Sequence, residues 1–440
     1  MRSRLPKVLQ PVGGRPMLAH VYDTARQLAP ETVHIVFNPD CPEVQACIED
    51  PAIRWVPQQP RLGTGHAVQQ ALPAIADKAR VLVLYGDLPL VTAQGLQPLL
   101  DARADLSVLS MRLDEPVGYG RMVRDSASRL ARIVEERDAA GDERGINEVN
   151  TGILLAEAGR LRGWLAGLGK DNRQGEYYLT DVVAAAHADG AAIECIMTPH
   201  AGDFAGANDR AQLAALETRH RARQAARLMR AGVHLADPAR IDVRGEVEAG
   251  ADVSLDINVV LAGHVVLGEG VQIGPGCVLE DCELAPGTRV HPYSVLQGVR
   301  TLGPCDIGPF ARLRPGTELG SGSRVGNFVE VKNTQLGEDS KASHLSYLGD
   351  SSIGRDVNIG AGTITCNYDG ANKHRTVIED GVFIGSNTQL VAPVRIGKDA
   401  TIGAGSTITQ DAPEGKLTLS RARQVTLEGW KRPEKKSGDA

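Results

Sequence analysis

The sequence predicts two domains of different fold class, an α/β domain in the first half and a parallel β-helix in the second. Three observations support this division. The chain has 440 residues, which is more than one ordinary hydrophobic core accommodates. Helix and strand patterns alternate over the first 205 residues. From about residue 245, aliphatic residues recur every six positions.

The first half contains apolar runs separated by amphipathic segments. Met17–Leu28 and Gly65–Ile75 have helical periodicity, whereas Val33–Phe37 and Val81–Tyr85 are continuous apolar runs typical of buried strands. Such alternation predicts a mostly parallel sheet, with ligands bound beyond the carboxyl ends of its strands. Gly-Asp follows the second of these runs and therefore lies at such an end.

A long helix is predicted between the two domains. The run from Asp209 to Arg230 contains no proline or glycine and is followed by Gly232, a common helix terminator. The predicted domain limits are 1–207, a connecting helix over 208–232, and 233–440.

The second half shows a period that fits neither a helix nor a simple strand. A six-residue period predicts a coil of three short strands, with each aliphatic side chain pointing inward. About nine such coils, stacked at roughly 4.8 Å, predict a prism on the order of 40 Å long. The in-phase positions are Leu267, Ile273 and Leu279; Ile307, Leu313, Leu319, Val325 and Val331; Ile353 and Ile359; and Ile384, Leu390, Ile396, Ile402 and Ile408.

One polar segment interrupts this period. Residues 365–376 (TCNYDGANKHRT) carry no in-phase aliphatic residue. We therefore expect a loop that stands out from the prism, and loops on rigid scaffolds often carry function.

Composition excludes several classes of protein. The net charge of −6 and the pI of about 6.0 do not indicate nucleic-acid binding. No apolar run approaches the roughly 20 residues that span a bilayer, and no apolar stretch resembling a secretion signal follows the basic N-terminus. The seven cysteines form no C-x-x-C pair, so we expect no structural zinc site and a reducing, cytoplasmic location.

Non-repeat motifs in both halves resemble one known family. They run in order from LPKVL (5–9) to GWKRP (429–433). The most specific are LGTGHA (62–67), YGDLPL (85–90), GYGR (118–121), NTGI (150–153), QGEYYLTD (174–181), IGPFARLRPG (307–316), GNFVEVK (326–332), NIGAGTITCNYDG (358–370) and GSNTQLVAP (385–393). In these motifs the chain resembles the bifunctional bacterial UDP-N-acetylglucosamine pyrophosphorylase/glucosamine-1-phosphate N-acetyltransferases of the GlmU type.

The resemblance implies a Rossmann-like uridylyltransferase domain followed by a left-handed β-helix that forms a homotrimer. The β-helix would transfer an acetyl group from acetyl-CoA to glucosamine-1-phosphate. The first domain would join N-acetylglucosamine-1-phosphate to UTP with the help of Mg²⁺, supplying precursors of peptidoglycan and lipopolysaccharide. It implies no nucleic-acid partner and no membrane insertion.

His344, within SKASHLSYLGD (340–350), is the catalytic base that the resemblance implies for acetyl transfer. Imidazole titrates near neutral pH and suits the removal of a proton from an ammonium group. Without the resemblance, a surface histidine is the simpler interpretation. The implied binding residues are Arg314, Lys332, Tyr347 and Asn358 for the sugar phosphate, and Ala361, Asn367, Tyr368, Ser386, Ala404 and Arg421 for acetyl-CoA and the closing of its pocket.

The N-terminal site is assigned in the same way. Asp87, an oxygen ligand suited to Mg²⁺, and Asn208 are the implied metal ligands, although Asn208 also stands where a helix N-cap is expected. The implied nucleotide and sugar ligands are Lys7, Gln58, Gly63, Thr64, Tyr85, Gly86, Gly120, Glu135 and Asn150.

One family feature has no counterpart in the sequence. The family has a first strand and a glycine-rich, arginine-containing loop before LPKVL, and that loop cradles phosphates. Here only Met1-Arg2-Ser3-Arg4 precedes Leu5. Either translation starts further upstream or uridylyl transfer is impaired, and in both cases we expect the neighbouring strands of this chain to keep unpaired edges.

Two other functions remain open at this stage. One is a different sugar-1-phosphate nucleotidyltransferase whose β-helix serves in assembly. The other is a non-catalytic trimeric scaffold. His344 and the NYDG loop argue against both, because neither function needs a catalytic base. An acetyltransferase that lacks the second activity is a further alternative.

Overall fold

The structure, a computed structural model, describes residues 1–433. The chain divides into two compact units, with the division between Arg223 and Gln224. This point lies inside the long helix Arg210–Arg230, which begins one residue later than predicted. Each unit is described separately.

The first unit combines helices with short strands, as the sequence predicts. Its strands within the described residues are β1 (Pro11–Val12), β2 (Arg15–Pro16), β3 (Val33–Phe37), β4 (Ile53–Pro57), β5 (Arg80–Val83), β6 (Leu106–Arg112), β7 (Arg121–Arg124), β8 (Leu130–Val134), β9 (Glu148–Glu157) and β10 (Ile193–Met197). The α-helices are α1 (Met17–Gln27), α2 (Glu43–Ala46), α3 (Thr64–Ala71), α4 (Ala93–Asp101), α5 (Ala158–Ala166), α6 (Asp181–Ala188) and α7 (Arg210–Arg230). Short 3₁₀ helices span Lys7–Leu9, Leu72–Ala74, Gly141–Gly145 and Ala201–Phe204.

The main sheet of this unit is mixed rather than mostly parallel. Its order is β10-β6-β9-β7-β8, and β5 pairs with β9. Strands β10 and β6 are parallel, as are β3 and β4 in a separate pair, but β9 runs antiparallel to β5, β6 and β7. The α/β class is confirmed. The direction of β9 was not predictable, because an apolar run indicates burial and not strand direction.

Strands β3 and β5 are less buried than predicted. All five residues of β3 and three of the four residues of β5 are only half-buried. Within residues 1–433, β3 pairs only with β4 and β5 only with β9. In this part of the chain, each strand therefore keeps one edge without a backbone partner, as expected from the sequence.

The second unit is a left-handed parallel β-helix. Up to residue 433, eleven strands stack on one face of the coil. They are His234–Leu235, Ser254–Leu255, Gln272–Ile273, Arg289–Val290, Asp306–Ile307, Arg324–Asn327, Lys341–His344, Asn358–Ile359, Phe383–Ile384, Thr401–Ile402 and Leu417–Thr418. Seventeen strands of the same described part form the other two faces. They are Ile241–Ala249, Val259–Leu267, Val278–Glu280, Glu283–Leu284, Val295–Gln297, Val299–Thr301, Arg312–Leu313, Thr317–Leu319, Glu330–Lys332, Gln335–Leu336, Tyr347–Gly349, Ser351–Ile353, Ile364–Cys366, Thr376–Ile378, Gln389–Val391, Val394–Ile396 and Thr407–Ile408. A 3₁₀ turn, Pro238–Arg240, joins the first two strands of the first coil.

The aliphatic residues at the six-residue period face the interior of the β-helix, as predicted. Every in-phase aliphatic residue predicted from sequence is at most 4% exposed. The structure has more coils than the nine predicted, since eleven strands stack on one face within the described residues. Ten spacings of about 4.8 Å give a stack roughly 50 Å long. The period was counted from residue 245, but strand stacking already begins at His234.

The predicted loop is also present. Strand partners lie 17 residues apart at Tyr347 and Ile364, but 25 apart at Ser351 and Thr376. Eight extra residues are therefore inserted between the strands Ile364–Cys366 and Thr376–Ile378. The loop proper is shorter than the predicted 365–376, because both end segments belong to strands.

Candidate active sites

His344 lies at a corner of the β-helix, at the end of the strand Lys341–His344. Its strand partner on the preceding coil is Asn327. The residue after each of them, Leu345 and Phe328, has a left-handed backbone with φ of 47° and 56°. The chain turns sharply there, which brings both side chains to the same corner, and the His344 ring is exposed.

The corner fixes the orientation of the imidazole. The Oδ1 atom of Asn327 lies 2.8 Å from Nδ1 of His344. An amide oxygen can only accept a hydrogen bond, so Nδ1 of the neutral ring carries the proton. The lone pair of the ring is consequently on Nε2, the nitrogen that faces away from Asn327.

Two cationic side chains and a tyrosine lie on the adjoining face. Arg314 donates to Glu330 at 2.9 Å, and Lys332 Nζ lies 4.0 Å from Asp350 Oδ2. Tyr347 pairs with Glu330 across the coils. Its ring and hydroxyl occupy the space that a side chain on residue 349 would fill, so a larger residue there would require Tyr347 to move.

Asp350 links Lys332 to the loop. It is 8% exposed, accepts from Asn333 Nδ2 at 2.7 Å and also accepts from Asn367 Nδ2. Burial opposes ionisation, but these two amide donors and the nearby Lys332 hold the pKa of Asp350 below its ordinary value. The carboxylate is therefore ionised and structurally engaged.

Tyr368, in contrast, is not brought to His344 within one chain. It is 62% exposed, and its hydroxyl donates to Gly370 O at 2.6 Å inside its own loop. Its neighbour in sequence, Asn367, is buried against Asp350. Asn367 and Tyr368 were predicted to act together, but the first side chain is buried and the second is exposed to solvent.

The predicted acetyl-CoA residues form a column on the corner of His344. The strand register places Ala361 on the next coil, and Ser386 and Ala404 follow on the two coils after it. Arg421 Nη1 donates to Ala404 O at 3.1 Å at the end of this column. Asn358 lies on the strand beside Lys341, on the coil that carries Ala361.

In the first unit, Lys7 joins the two predicted metal ligands. Its Nζ atom donates to Asn208 Oδ1 at 2.6 Å and forms an ion pair with Asp87. Asn208 does not cap α7 with its side chain. Asp209 does so, because its Oδ1 accepts from the backbone N–H of Gln212 at 2.8 Å.

The oxygens of Asp87 and Asn208 suit a hard cation. Both already contact one cationic group, the Lys7 ammonium. Within residues 1–433, no group of three or more His, Cys, Asp and Glu side chains could hold a metal ion. A pair of oxygen ligands still fits Mg²⁺, which proteins often bind through one or two side chains together with substrate phosphates.

Tyr85 lies close to several predicted ligands. Burial and the negative charges of Glu135 and Asp87 raise its pKa, against a hydrogen bond with Thr64. Its ring covers Gly152, where a side chain would collide with it. Burial likewise raises the pKa of Glu135, despite a 2.9 Å hydrogen bond from Thr180, and Asp181 and Asp138 add repulsion.

The remaining predicted ligands surround this group. Gln58 Nε2 donates to Gly63 O at 2.9 Å. Gly63 has φ of +109° and faces the backbone of Tyr177, so a side chain there would be strained and blocked. Asn150 N donates to Gly120 O at 2.8 Å, Gly120 lies against Glu135, and Gly86 packs on Leu18.

Several residues of these sites were not predicted from the sequence. Asn327, Asp350 and Gly349 belong to the β-helix site, and Tyr119 and Thr180 to the other. Asn327 precedes His344 by 17 residues, the coil-to-coil offset, so counting along the repeat could have found it. For Tyr119, where burial and Asp87 raise the pKa, the sequence offers only its place in GYGR.

Family models match both halves of the chain. Residues 1–146 match the MobA-like NTP transferase domain, and residues 375–410 match the bacterial transferase hexapeptide repeats. No helix in the described residues is long and apolar enough to cross a membrane.

Relatives match over nearly the whole chain. The bifunctional GlmU protein of Alkalilimnicola ehrlichii is 56% identical and covers 98% of this chain and 94% of its own length. Those of Aromatoleum aromaticum and Azoarcus sp. are 54% and 55% identical, covering 99% of this chain and 96% and 97% of their own lengths. At this identity and coverage, the chain belongs to the family of bifunctional GlmU proteins, with glucosamine-1-phosphate acetyltransferase and UDP-N-acetylglucosamine pyrophosphorylase activities.

Proposed function

We propose that His344 is the general base of acetyl transfer from acetyl-CoA to the amine of glucosamine-1-phosphate. The observation that carries this proposal is the contact of its Nδ1 atom with Asn327, which leaves the Nε2 lone pair free on an exposed corner. The substrate ammonium must lose a proton before its nitrogen can attack the thioester carbonyl. Nε2 accepts that proton, and the substrate amine attacks the thioester carbonyl. As the tetrahedral adduct collapses to the amide, its C–S bond breaks and the second amine proton passes to the departing sulfur, which releases CoA as its thiol.

Arg314 and Lys332 bind the phosphate of the sugar. Lys332 lies on the coil before that of His344, and Arg314 lies one coil earlier on the same face. Arg314 contacts the carboxylate of Glu330, and Lys332 contacts that of Asp350. Arginine can form a paired contact with phosphate oxygens, and lysine adds a point charge. Tyr347, on the face that carries Lys332, and Asn358, on the strand beside that of His344, supply hydroxyl and amide groups for the sugar ring.

Acetyl-CoA extends along the column Ala361, Ser386 and Ala404. From the corner of His344 to that of Ala404 there are three coil spacings, or about 14 Å. That is the length scale of an extended pantetheine arm, and small side chains permit its close approach. Arg421 lies at the far end of the column, where it can meet a phosphate of CoA.

The site is completed in a homotrimer. His344 and the column lie on an open corner, and Tyr368 projects into solvent from its loop. A groove between two copies would enclose the CoA arm, and closed cyclic symmetry suits flat-faced prisms. Tyr368 would then act on the site of a second copy.

The first unit transfers a uridylyl group from UTP to N-acetylglucosamine-1-phosphate and releases pyrophosphate. Asp87 and Asn208 would hold Mg²⁺, which supplies charge neutralisation to the triphosphate when bound. Lys7 brings a second positive charge to the same place. Gln58, Gly63, Thr64, Tyr85 and Gly86 line the uridine side, whereas Gly120, Glu135 and Asn150 line the sugar side.

We infer a cytoplasmic location and a role in supplying peptidoglycan and lipopolysaccharide precursors. Two facts support this. All seven cysteines are free, as expected in a reducing compartment. The product of the two reactions, UDP-N-acetylglucosamine, is an activated sugar for such polymers.

The His344→Ala variant tests this proposal. We expect the kcat of acetyl transfer, measured as release of free CoA thiol, to fall roughly 10²–10⁴-fold, the contribution of a positioned general base. The control is His264→Ala, which alters an exposed histidine elsewhere on the β-helix and should keep the normal rate. Undiminished turnover by His344→Ala would refute the assignment.

A further inference from the structure

Among the acidic residues of the β-helix that the structure describes, Asp350 stands out because it is buried. It lies at a corner with a left-handed backbone (φ 49°), a conformation that aspartate tolerates better than most residues. Other corner aspartates with the same backbone, such as Asp339 and Asp356, have exposed side chains. A buried carboxylate is costly unless it is hydrogen-bonded and compensated by positive charge.

The side chain of Asp350 is fully engaged. Asn333 Nδ2 donates to one oxygen at 2.7 Å. Asn367 Nδ2 donates to the other, and Lys332 Nζ lies 4.0 Å from that same oxygen. The carboxylate therefore contacts one residue of the preceding coil, the first residue of the inserted loop, and one of the two cations assigned to the sugar phosphate.

The backbone of Asp350 holds the same three parts together. Its N–H donates to Lys332 O at 3.0 Å, and its carbonyl accepts from Thr376 N at 3.3 Å. Thr376 is the residue at which the chain re-enters the coil after the loop. Asn367 O in turn accepts from His374 N at 2.8 Å. Both ends of the loop are thus attached to one residue.

We propose that Asp350 is a positioning residue that fixes the loop 367–375 to the coil and holds Lys332 beside it. It would couple the sugar-phosphate side of the site to the loop that carries Asn367 and Tyr368. This inference rests on the proposed acetyl transfer. It adds that Asp350 holds both the lysine that binds the sugar phosphate and the loop beside acetyl-CoA. Loss of the Asp350 carboxylate should therefore weaken the binding of both substrates.

The test compares Asp350→Asn with Asp356→Asn in the full chain. Asparagine has the same shape but lacks the charge. Its amide has one oxygen that can accept and one NH₂ group that cannot, so one of the two hydrogen bonds from Asn333 and Asn367 is lost. For Asp350→Asn we expect KM to rise about tenfold for both glucosamine-1-phosphate and acetyl-CoA, the lower end of the effect of losing an outer positioning contact. We expect kcat to change much less, because His344 and Asn327 are untouched. Asp356→Asn should match the unaltered protein.

Limited trypsin digestion reports on the loop without requiring turnover. Lys373 lies inside the loop and Lys398 lies in a later coil. Asp350→Asn should be cleaved after Lys373 several-fold faster than the unaltered protein, with cleavage after Lys398 unchanged. The exchange variant Asp350→Asn/Asn367→Asp restores a donor–acceptor pair and should slow cleavage after Lys373 again.

Three results would overturn the proposal. They are unchanged KM values for Asp350→Asn, unchanged loop cleavage, and equal acceleration at Lys373 and Lys398, which would indicate general unfolding. If the unaltered protein shows no acetyl transfer, the proposed function itself fails. In that case the digestion experiment still decides whether Asp350 anchors the loop.

Discussion

Two acidic residues in the two units differ in how their negative charge is compensated. Asp350 of the β-helix receives two amide hydrogen bonds and lies near lysines, which hold its pKa below the ordinary value. Glu135 of the first unit receives one hydroxyl hydrogen bond and lies near Asp138 and Asp181, and burial raises its pKa. The carboxylate of Asp350 therefore accepts a hydrogen bond at each oxygen, whereas that of Glu135 accepts one in total from the side chains around it.

The difference separates a structural anchor from a group available to a ligand. A carboxylate that is already saturated with donors, like Asp350, has little to gain from a substrate. A half-buried carboxylate that receives a single donor, like Glu135, gains a hydrogen bond when a sugar hydroxyl arrives. Carboxylates with a raised pKa are often found at functional sites.

Among the acidic residues of the two sites, the largest effect is expected at Asp87. Asp87→Ala removes one of two oxygen ligands, and we expect uridylyl transfer, measured as pyrophosphate release, to fall roughly 10²–10³-fold, as when one electrostatic stabiliser is lost. Mg²⁺-dependent UTP binding, measured by calorimetry, should weaken as well. The control Asp101→Ala, at the exposed end of α4, should change neither, and acetyl transfer should be unaffected. Unaltered UTP binding by Asp87→Ala would exclude it as a metal ligand.

A smaller effect is expected for sugar binding. Glu135→Gln removes the charge and leaves an amide that is a weaker acceptor, so the KM for N-acetylglucosamine-1-phosphate should rise about tenfold, or roughly 1.4 kcal/mol. The KM for UTP should stay the same, because uridine is bound on the other side. A rise in the KM for UTP alone would show that Glu135 faces the nucleotide.

The remaining effects are on stability, and they should have opposite signs. The lowered pKa of Asp350 means that its contribution is present above its unfolded-state value of about 3.9 and is lost as pH falls through its folded-state value. At pH 7, Asp350→Asn should lower the free energy of unfolding by about 1–3 kcal/mol. The raised pKa of Glu135 means that its ionisation at pH 7 destabilises the folded state. Glu135→Gln should therefore raise the free energy of unfolding by a few tenths to about 1 kcal/mol.

Urea unfolding of each variant at pH 7 and at about pH 3 measures both effects. The deficit of Asp350→Asn should shrink at the lower pH, because the native carboxylate is then partly protonated. The gain of Glu135→Gln should vanish there for the same reason. If both variants change the free energy of unfolding in the same direction at pH 7, the proposed difference between Asp350 and Glu135 is wrong.

The β-helix was largely predictable because each coil repeats the same physical requirement. A six-residue period places one aliphatic side chain per face in the interior, and the position of the loop follows from the break in that period. The number of coils was underestimated, since the first coils carry the pattern less regularly. In the other unit, the antiparallel course of β9 and the half-buried state of β3 depend on partners that are distant in sequence.

The candidate sites were predictable residue by residue only through family motifs. The sequence alone did not show that Lys7 contacts both Asp87 and Asn208, which are 80 and more residues away along the chain. Nor did it show that Asp209, and not Asn208, caps α7. Asp350 was missed because an aspartate next to glycine is an ordinary turn pattern, and only the fold shows that its side chain is buried.

The central claim is that His344 accepts the substrate proton through Nε2 while Asn327 holds Nδ1. The most direct measurement is the pH dependence of kcat/KM for acetyl transfer in the unaltered protein and in Asn327→Asp. A carboxylate beside the ring stabilises the imidazolium, so the acidic limb of the profile should shift to higher pH by roughly one unit, and Asn327→Ala should lower kcat about tenfold. Superimposable profiles for the unaltered protein and Asn327→Asp would show that the base is not the imidazole held by Asn327.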